Sequence, residues 1–372
     1  MQLSEFYVET WMTDHENDCQ YNLTDTCVTC LSICELEKLL KIDIMDEIKN
    51  IKLDYGPIVG STRLKDAILS LYKNGTYENI TMSAGTINAN ELILMTLLEP
   101  GDHVVTFTPT YQQLYSFPQS LGCHVDVVEL KEENQWLPSY DELKSVVNEK
   151  TKLICLNSPN NPTGTTFEED YMKEIIELAK KYHCYILCDE VYRGTVNHQL
   201  TYSLSDIYEE AIVTGSLSKV FSSAGLRLGW IKAPKEIIDL INYRRDYHII
   251  SNGPLDDYLA SIILENKDII LRRSEDICNA NKQYLKEWLK HEKHMSCVIP
   301  KYGTVGFLKY DLLIPSKTFC EKLQKETGVF FVPGGCFDKE NYLRFGFGND
   351  PQKVKEGLSI LSKWLKQFEE TA

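Results

Sequence analysis

One segment of the sequence, TGSLSKVFSSAGLRLGW at residues 214–230, places a lysine in unusual surroundings. Lys219 stands among serines and small apolar residues, and a lone arginine, Arg227, follows it. An ammonium group is strongly hydrated, so a surface lysine is normally surrounded by other polar groups. A lysine held partly desolvated near other positive charge has a lowered pKa and becomes a nucleophile that can form a Schiff base. The segment therefore indicates that Lys219 is not an ordinary surface residue.

Further polar side chains stand where predicted strands end. In open parallel sheets, ligands bind beyond the carboxyl ends of the strands, so these positions are the ones to inspect. One such residue alone says little, because an aspartate that closes a strand is more often a helix cap than a catalyst. Their ordered combination is far more specific. The residues are Tyr111 after TFTPTY, Asn161 in NSPNNPTG, Asp189 and Tyr192 in CDEVY, and Ser216 and Lys219 in SLSK.

Together, NSPNNPTG, CDEVY and SLSKVFSSAGLRLGW resemble the pyridoxal-phosphate enzymes of fold type I, specifically the class I/II aminotransferases. The similarity extends from LDYGPIVGSTRLKDAI at residue 53 to NYLRFGFG at residue 341. The resemblance implies an α/β fold with a mostly parallel seven-stranded sheet flanked by helices, and a smaller α+β domain built from both chain ends. It also implies a homodimer with shared active sites and a role in amino acid metabolism and biosynthesis.

The resemblance assigns the catalytic roles to three residues. Lys219 matches the lysine that forms a Schiff base with pyridoxal 5'-phosphate, and its amine would move the proton from the substrate Cα as base and then as acid. Asp189 matches the carboxylate that pairs with the pyridine nitrogen and so lets the ring withdraw electrons. Tyr192, with Asn161, matches the groups that hydrogen-bond the 3-oxygen of the cofactor.

The phosphate of the cofactor has its own set of matching residues. Ser216 and Arg227 match the phosphate-binding serine and arginine, and a guanidinium fork suits a phosphate dianion. In SAGTINANELIL, a turn at Gly85 opens a predicted helix, so the backbone N–H groups of Thr86 and Ile87 would point at the phosphate. A glycine between a strand and a helix is common, and only its position before the other motifs favours this reading.

The remaining assignments concern the ring face, the neighbouring subunit and the substrate. Tyr111 matches the aromatic residue that stacks on the ring, with an ordinary core tyrosine as the competing interpretation. Tyr55, in DYGPIVG, matches a tyrosine that reaches the phosphate from the neighbouring subunit. Arg344, in NYLRFGF, matches the arginine that grips the substrate α-carboxylate, and Asn161 also lines the substrate position.

The amino-terminal region departs from the family pattern. Family members typically carry an NLGxGEP-like strand with a glycine that lines the substrate pocket, whereas YNLTDTCVTC puts Asp25 and Thr26 there. We expect both residues to contact the substrate. Asp25, with Glu16 in HEND, could pair with a cationic side chain such as a guanidinium or an amine. The alternative is that Asp25 faces solvent or caps a turn.

The function predicted from these residues is transfer of an amino group from an amino acid to a 2-oxo acid. The alternative is a cyclase, lyase or oxidase on the same scaffold, acting on a cationic amino acid such as an arginine derivative, as in capreomycidine synthase-like enzymes. No second arginine is assigned to a side-chain carboxylate, which disfavours a dedicated aspartate aminotransferase. A DNA-binding regulator with an aminotransferase-like domain is disfavoured, because only about 80 residues precede the SAGT segment.

Composition narrows the partners. The formal net charge of −15 over 372 residues disfavours a nucleic-acid partner, which would need a basic face. No apolar run approaches the ~20 residues of a membrane span, and the start MQLSEFYVETW lacks a signal-peptide pattern, so we predict a cytoplasmic protein. The twelve cysteines are expected to be thiols. Cys19, Cys27, Cys30 and Cys34 lie close in sequence, but no second pair completes a zinc site, so we predict no metal.

The elements that must position these residues can be read from periodicity. From about residue 80 to 235, short β-branched runs alternate with amphipathic segments, which predicts a parallel sheet with crossover helices. The stretch TTFEEDYMKEIIELAKKYH opens with capping threonines and acids, and it predicts a helix whose apolar stripe consists of Met172, Ile175, Ile176, Ala179 and Tyr182. Residues 255–289 predict one long helix that bridges two domains. The predicted strands are HVVTFTPTY, KLICLNSP, CYILCDEVY, AIVTGSLS and RLGWIKA.

Beyond the long helix the pattern changes to that of a smaller α+β domain, which ends in a helix from about Pro351. We predict three parts. Residues 1–48 form an amino-terminal arm and part of the small domain, residues 49–260 form the large cofactor-binding domain, and residues 261–372 form a linking helix and the carboxyl-terminal small domain.

Overall fold

A computed structural model describes residues 2–368 of the chain. The helices are α1 (Tyr7–His15), α2 (Ile33–Leu40), α3 (Ile44–Ile48), α4 (Thr62–Leu69), α5 (Gly85–Leu97), α6 (Gln113–Ser120), α7 (Tyr140–Val146), α8 (Glu169–Tyr182), α9 (Lys235–Arg245), α10 (Pro254–Glu265), α11 (Lys267–Leu289), α12 (Ser316–Thr327) and α13 (Pro351–Leu365). The strands are β1 (Tyr21–Asn22), β2 (Ile80–Ser83), β3 (His103–Thr108), β4 (His124–Glu129), β5 (Thr151–Asn157), β6 (Tyr185–Asp189), β7 (Thr195–Val196), β8 (Gln199–Leu200), β9 (Ile212–Ser216), β10 (Gly229–Lys232), β11 (Met295–Cys297), β12 (Val305–Tyr310), β13 (Val329–Phe330), β14 (Val332–Pro333) and β15 (Tyr342–Gly346).

The largest sheet has seven strands in the order β2-β10-β9-β6-β5-β3-β4. Strand β10 is antiparallel to both of its neighbours, and the other neighbouring strands are parallel. This confirms the predicted mostly parallel seven-stranded sheet. Strands β3, β5, β6, β9 and β10 coincide with the apolar runs in the sequence, because strands covered on both faces need apolar residues throughout. Strand β2 is short and β4 is a mostly exposed edge strand, so neither carries a long apolar run.

Helices cover both faces of this sheet. In α8, four residues of the predicted apolar stripe are buried (Met172, Ile175, Ile176 and Ala179), while Tyr182 is half-buried. The prediction of threonine capping is wrong, because the residue at the amino-terminal cap is Glu168 and its side chain accepts no capping hydrogen bond. None of the helices in residues 2–368 is long and apolar enough to cross a lipid bilayer.

A second, antiparallel sheet has the order β11-β12-β15-β14. Its core is rich in aromatic residues, with Phe307 on β12 stacked against Tyr342 on β15 at 4.7 Å between ring centroids. Strand β15 lies between β12 and β14, so the residues at its centre are fixed on both sides by backbone hydrogen bonds. The final helix, α13, begins at Pro351 as predicted.

The predicted single helix over residues 255–289 is wrong, because α10 and α11 are separate helices that meet at Asn266. The side-chain amide of Asn266 donates to the carbonyl of Ile262 at 2.9 Å and so caps α10 with a polar group that competes with the helix backbone. Helix α11 still contacts both sheets' layers. Ser274 Oγ donates to the Val220 carbonyl, and Asn281 Nδ2 donates to the Phe347 carbonyl.

Helix α1 lies between the two layers. The indole Nε1 of Trp11 donates to the carbonyl of Phe331 at 2.9 Å, which ties α1 to the small sheet's side. The side chain of Gln112, just after β3, accepts from the backbone N–H of Tyr7 and donates to the carbonyl of Glu5. In contrast, Leu36 and Ile44, at the predicted end of the arm, pack with the apolar core around Leu64. The three domain boundaries remain predictions.

Candidate active site

A cavity of about 360 Å³ lies at the carboxyl ends of β5, β6 and β9, between the start of α5, helix α1 and strand β15. The structure brings most of the predicted site residues together on its walls. The lining residues are Val8, Glu9, Met12, Asp25, Thr26, Thr86, Ile87, Tyr111, Asn157, Asn161, Asp189, Val191, Tyr192, Ser216, Ser218, Lys219, Ala224, Arg227 and Arg344.

Lys219 follows β9 in a turn that directs its amine into the cavity. Its Nζ donates to Thr26 Oγ1 at 2.6 Å and contacts Cys27 Sγ at 3.7 Å. Burial opposes the positive charge, but Tyr192, Cys27 and Asp25 favour it, and the net result is a pKa of Lys219 above its ordinary value. The prediction that the pKa of Lys219 is lowered is therefore wrong, because the surrounding protein groups raise it.

Asp189 ends β6 and is fully enclosed. Its Oδ2 accepts from Asn90 Nδ2 at 2.8 Å, and its Oδ1 accepts from the backbone N–H of Val191 at 3.0 Å. Burial raises the pKa of Asp189 to about 6, while the two hydrogen bonds and the charge of Lys219 oppose this rise. Asn90, on the second turn of α5, is itself fixed by Thr214 Oγ1, which donates to its Oδ1 at 3.0 Å.

An anion-binding cradle occupies the other end of the cavity. Gly85 begins α5 with φ +78°, and a Cβ at this position would lie 2.9 Å from Nη2 of Arg227. The glycine therefore lets the guanidinium approach the helix amino terminus. Arg227 Nη1 donates to the Ala224 carbonyl, and Ser216 Oγ accepts from the backbone N–H of Ser218. The arrangement places a guanidinium, a hydroxyl and the positive end of the α5 helix dipole together, and these groups favour an anion.

Two buried polar atoms on the cavity wall have no partner within residues 2–368. They are Thr86 Oγ1 beside the cradle and Asn161 Oδ1 further along the wall. The backbone N–H of Asn161 donates to Asn157 Oδ1 at 2.7 Å. The residue is therefore held in place, while its side-chain oxygen still lacks a hydrogen-bond partner among residues 2–368. Buried polar atoms are normally hydrogen-bonded, so these two atoms indicate a polar ligand.

Two tyrosines flank this space. Tyr192 is buried, and its ring lies 5.9 Å from Nζ of Lys219. Burial raises the pKa of Tyr192, while Lys219 and Arg344 oppose the rise, so it is a neutral hydrogen-bond donor at neutral pH. Tyr111 lines the cavity, packs against Phe6 at 5.0 Å between ring centroids, and its hydroxyl donates to Glu9 Oε1 at 3.2 Å.

Arg344, at the centre of β15, presents a guanidinium that is only 4% exposed. Its Nε donates to Thr24 Oγ1 at 3.2 Å, and its Nη2 contacts Met12 Sδ at 3.7 Å. No carboxylate pairs with it in the described part of the chain. A buried, unpaired guanidinium is costly unless an anion joins it.

Asp25 and Thr26 both line the cavity. Asp25 Oδ1 also accepts from the backbone N–H of Cys27 at 2.9 Å, as in a turn, and contact of the two residues with the substrate stays a prediction. Glu16 is close enough that the charge of Asp25 contributes to raising its pKa, after the larger effect of burial. Tyr55, by contrast, does not join the cavity of its own chain, because its side chain is 74% exposed.

The sequence patterns missed several residues of the site. Glu9 and Met12 come from α1, whose position depends on tertiary contacts that have no local signal. Asn90 carries no distinct signal, because Thr86, Asn88 and Glu91 also make the start of α5 polar. Within residues 2–368, no group of three or more histidine, cysteine, aspartate or glutamate side chains is arranged to hold a metal ion.

Comparison with known proteins agrees with this geometry. The family profile described as aminotransferase class I and II matches residues 22–361. The solved structure of a PLP-dependent aminotransferase from Streptococcus suis 89-1591 is 37% identical, covers 99% of both chains and superposes with a TM-score of 0.96. Capreomycidine synthase from Streptomyces vinaceus is 27% identical, over 83% of this chain and 80% of that protein. Aspartate aminotransferase from Pyrococcus horikoshii is 28% identical, over 84% of this chain and 83% of that protein.

The predictions of family, fold class, enzyme class and cofactor are thereby confirmed. The matched segment contains the lysine, the aspartate and both arginines of the cavity. The chain belongs to the aminotransferase class I and II family and is a pyridoxal 5'-phosphate-dependent enzyme of fold type I.

Proposed function

We propose that this cavity transfers an amino group from an amino acid to a 2-oxo acid, with Lys219, Asp189 and Tyr192 as its catalytic residues. The assignment rests on one observation: the buried amine of Lys219 shares a cavity with the buried carboxylate of Asp189 and with two arginines. Within residues 2–368, no carboxylate pairs with either arginine. Each of these groups has a distinct task in the reaction.

The residues fit pyridoxal 5'-phosphate. Ser216, Arg227 and the start of α5 at Thr86 would hold its phosphate, and the unpartnered Asn161, with Tyr192, would face its polar ring substituent. Asp189 would face the ring nitrogen with a negative charge. When bound, the cofactor supplies an aldehyde for attachment of an amine and a ring that withdraws electrons from the substrate Cα. The partnerless buried atoms at Thr86 and Asn161 support this fit.

The substrate contacts follow from the opposite wall. Arg344 binds the α-carboxylate through a bidentate pair, which fixes the orientation of the Cα–H bond relative to Lys219. Nζ of Lys219 accepts the proton from Cα and later donates it, as base and then as acid. Thr26 Oγ1, at 2.6 Å from Nζ, positions the amine for this transfer.

A direct experiment tests the role of Lys219. Protein saturated with the cofactor is reduced with borohydride, digested and mapped, and the cofactor is expected on Lys219 alone. Lys232, another buried lysine, lies on β10 outside the cavity and serves as the internal control. The assignment fails if Lys219 is unmodified, or if Lys232 is modified to the same extent.

A second candidate reaction is cyclisation or elimination on a cationic amino acid. It is favoured by the similarity to capreomycidine synthase and by the acidic residues at the cavity wall, Glu9 and Asp25. Product analysis separates the two reactions, because transamination yields a 2-oxo acid and the amine form of the cofactor in equal amounts, whereas cyclisation or elimination regenerates the aldehyde form.

We also infer that the protein acts as a cytoplasmic homodimer in amino acid biosynthesis. The described cysteines are free thiols, which fits a reducing compartment. The exposed Tyr55 fits a residue that completes the cofactor site of a second copy.

A further inference from the structure

The cavity wall carries as many cationic side chains as carboxylates, but the proposed function does not assign a role to all of them. Three side chains are cationic, and three are carboxylates. The cations are Lys219, Arg227 and Arg344, and the carboxylates are Glu9, Asp25 and Asp189.

The proposed function uses four of these six groups, and the present inference depends on it. Arg227 serves the cofactor phosphate, Asp189 the ring nitrogen, Arg344 the substrate α-carboxylate, and Lys219 the transferred proton. Two carboxylates, Glu9 and Asp25, are left without a task. Both face the same cavity as the substrate carboxylate's arginine.

Both carboxylates retain an oxygen for a ligand. Asp25 uses Oδ1 for the Cys27 N–H, and Glu9 uses Oε1 for the Tyr111 hydroxyl, which leaves Oδ2 and Oε2 without a hydrogen bond among residues 2–368. Neither residue has a lysine, arginine or histidine within ion-pair distance in that part of the chain. Each carboxylate is therefore open to an ion pair with a ligand, although the charge of Asp25 also stabilises the ammonium of Lys219.

Hydrogen bonds at and next to Asp25 fix the position of this residue. Its N–H donates to Asn22 Oδ1 at 3.0 Å, and the next carbonyl, of Thr26, accepts from Thr304 Oγ1 at 2.6 Å. Gly346, two residues after Arg344, allows the Asp25 carbonyl to lie where a Cβ would come within 1.8 Å of it. The packing of the Asp25 backbone against Gly346 of β15 thus fixes the position of Asp25 relative to Arg344 on the same strand.

Glu9 is placed by α1 in a similar way. It lies three residues before Met12, whose sulfur contacts the Arg344 guanidinium, so both side chains share one face of the helix. Glu16, beyond the end of α1, is near enough to both carboxylates that, after the larger effect of burial, the charges of Asp25 and Glu9 raise its pKa, while Arg344 opposes the rise. The substrate side of the cavity is therefore acidic around one buried guanidinium.

We propose that Glu9 and Asp25 bind a cationic group at the end of the substrate side chain, so that the amino donor is a basic amino acid of the ornithine, lysine or arginine type. The α-carboxylate on Arg344 and the distal cation on the two carboxylates together complete the charge balance of the cavity. An acidic amino donor such as aspartate meets repulsion at the same place.

The first test compares isosteric amino donors on the cofactor-loaded enzyme. Arginine is paired with citrulline, and lysine with 2-aminoheptanoate, whose terminal methyl group replaces the ammonium. The loss of the aldehyde form of the cofactor is followed by absorbance. We expect kcat/KM for each cationic donor to exceed that of its neutral partner by about 10- to 100-fold, the usual range for a charge-assisted hydrogen bond. Equal or reversed preference for both pairs overturns the proposal.

The second test neutralises the two carboxylates with isosteric variants. Asp25→Asn and Glu9→Gln keep an oxygen for the Cys27 N–H and the Tyr111 hydroxyl, so their folds are preserved. Each variant should lower the ratio of kcat/KM for the cationic donor to kcat/KM for its neutral partner by about 10-fold or more. Asp14→Asn, on the exposed part of α1, is the matched control and should change neither value. An equal loss for both members of a pair overturns the proposal.

A binding measurement separates this proposal from the proposed function. The analogue 2-methylornithine lacks the Cα hydrogen, so it binds without being converted, and its dissociation constant is measured by calorimetry in wild type and Asp25→Asn. A weaker affinity in the variant by about 10-fold supports the charge pair, and an unchanged affinity contradicts it. If neutral and cationic amino acids alike fail to convert the cofactor, the transamination assignment is what has failed.

Discussion

At the scale of single residues, the ionisation of Asp189 depends on its neighbours. Burial raises its pKa to about 6, and Asn90 is the strongest of the groups that oppose this rise. Because the role that we propose for Asp189 requires a charged carboxylate, we expect Asn90 to act as a positioning residue for the chemistry. It works through Asp189 and does not line the cavity itself.

Replacement Asn90→Ala should move the acidic limb of the kcat/KM pH profile upward by about one pH unit, the value of one hydrogen bond to a buried charge. The sign follows because loss of the donor raises the pKa of Asp189, so the charged carboxylate is lost at a higher pH as the medium is acidified. Asn90→Asp is expected to move the limb further, since it adds a like charge. An unmoved limb with a uniformly lower rate would mean that Asn90 is only structural.

Gly85 provides a second residue-scale prediction. In Gly85→Ala, the new Cβ would meet the Arg227 guanidinium at 2.9 Å and the residue would keep an unfavourable φ of +78°, so cofactor affinity should fall about 10-fold or more. Gly101→Ala is the control, because its φ is +93° but nothing lies within 4 Å of its Cβ. Equilibrium dialysis with the cofactor should show a loss for Gly85→Ala alone, while both variants lose stability in urea.

At the scale of elements, helix α1 covers the side of the cavity where we propose that the substrate binds. It is short and only weakly amphipathic, so its position depends on the Trp11 indole and on the Gln112 side chain rather than on its own helix propensity. The positions of the cavity residues on α1, which are Val8, Glu9 and Met12, therefore depend on these two anchors.

Trp11→Ala should raise KM for the amino donor by about 10-fold while it leaves cofactor affinity within about 2-fold, since the anchor lies beside the substrate wall and away from the phosphate cradle. Hydrogen exchange of residues 7–15 should also become faster in the variant. The exposed Thr13→Val change on the same helix serves as the control. Equal losses of substrate and cofactor binding would contradict this role for α1.

The elements also explain which parts of the protein could be predicted from sequence. Strands β5 and β6 are apolar throughout because both of their faces are buried, and their polar ends coincide with the site. The edge strand β4 lacks that signal, and the break at Asn266 depends on one side-chain hydrogen bond within an otherwise helical pattern. The family motifs located Lys219 and its neighbours, whereas Glu9 depends on a contact between distant segments that no local pattern encodes.

At the scale of the whole molecule, an apolar surface remains exposed around Arg245. This buried arginine donates to the carbonyls of Met82, Ile58 and Ile250, and so it joins the loop that carries Tyr55 to the segment after α9. The exposed side chains there are large and apolar, and a second copy of the chain is the occupant that the homodimer proposal requires. They are Leu53, Tyr55, Ile58, Tyr243, Tyr247 and Ile250.

Tyr247→Asp should shift sedimentation of the protein from dimer toward monomer and weaken cofactor binding, because a charge in a buried apolar interface is costly. Leu313→Asp is the matched control, since Leu313 is fully exposed elsewhere on the surface, after β12. If both variants sediment as the wild type does, this surface is not the dimer interface.

Stability of the whole fold should depend on pH through Glu190. Burial raises the pKa of this residue to about 7, so the folded state holds a proton that the unfolded chain has lost, and stability falls as pH rises from about 4.5 to 7. Glu190→Gln keeps an acceptor for the Ser203 hydroxyl and the Leu204 N–H. In urea unfolding, the wild type should lose roughly 2 kcal/mol relative to this variant between pH 5 and pH 7. A constant difference would contradict the buried ionisation.

The contact between Arg344 and Met12 joins residues 332 positions apart in the chain. The coenzyme cradle, from Gly85 to Arg227, is translated well before β15 leaves the ribosome. A nascent polypeptide thus contains its own residues for the coenzyme site before Arg344 has been synthesised. Arg344 is the last of the residues lining the cavity to be translated, whereas Glu9 and Asp25 are among the first.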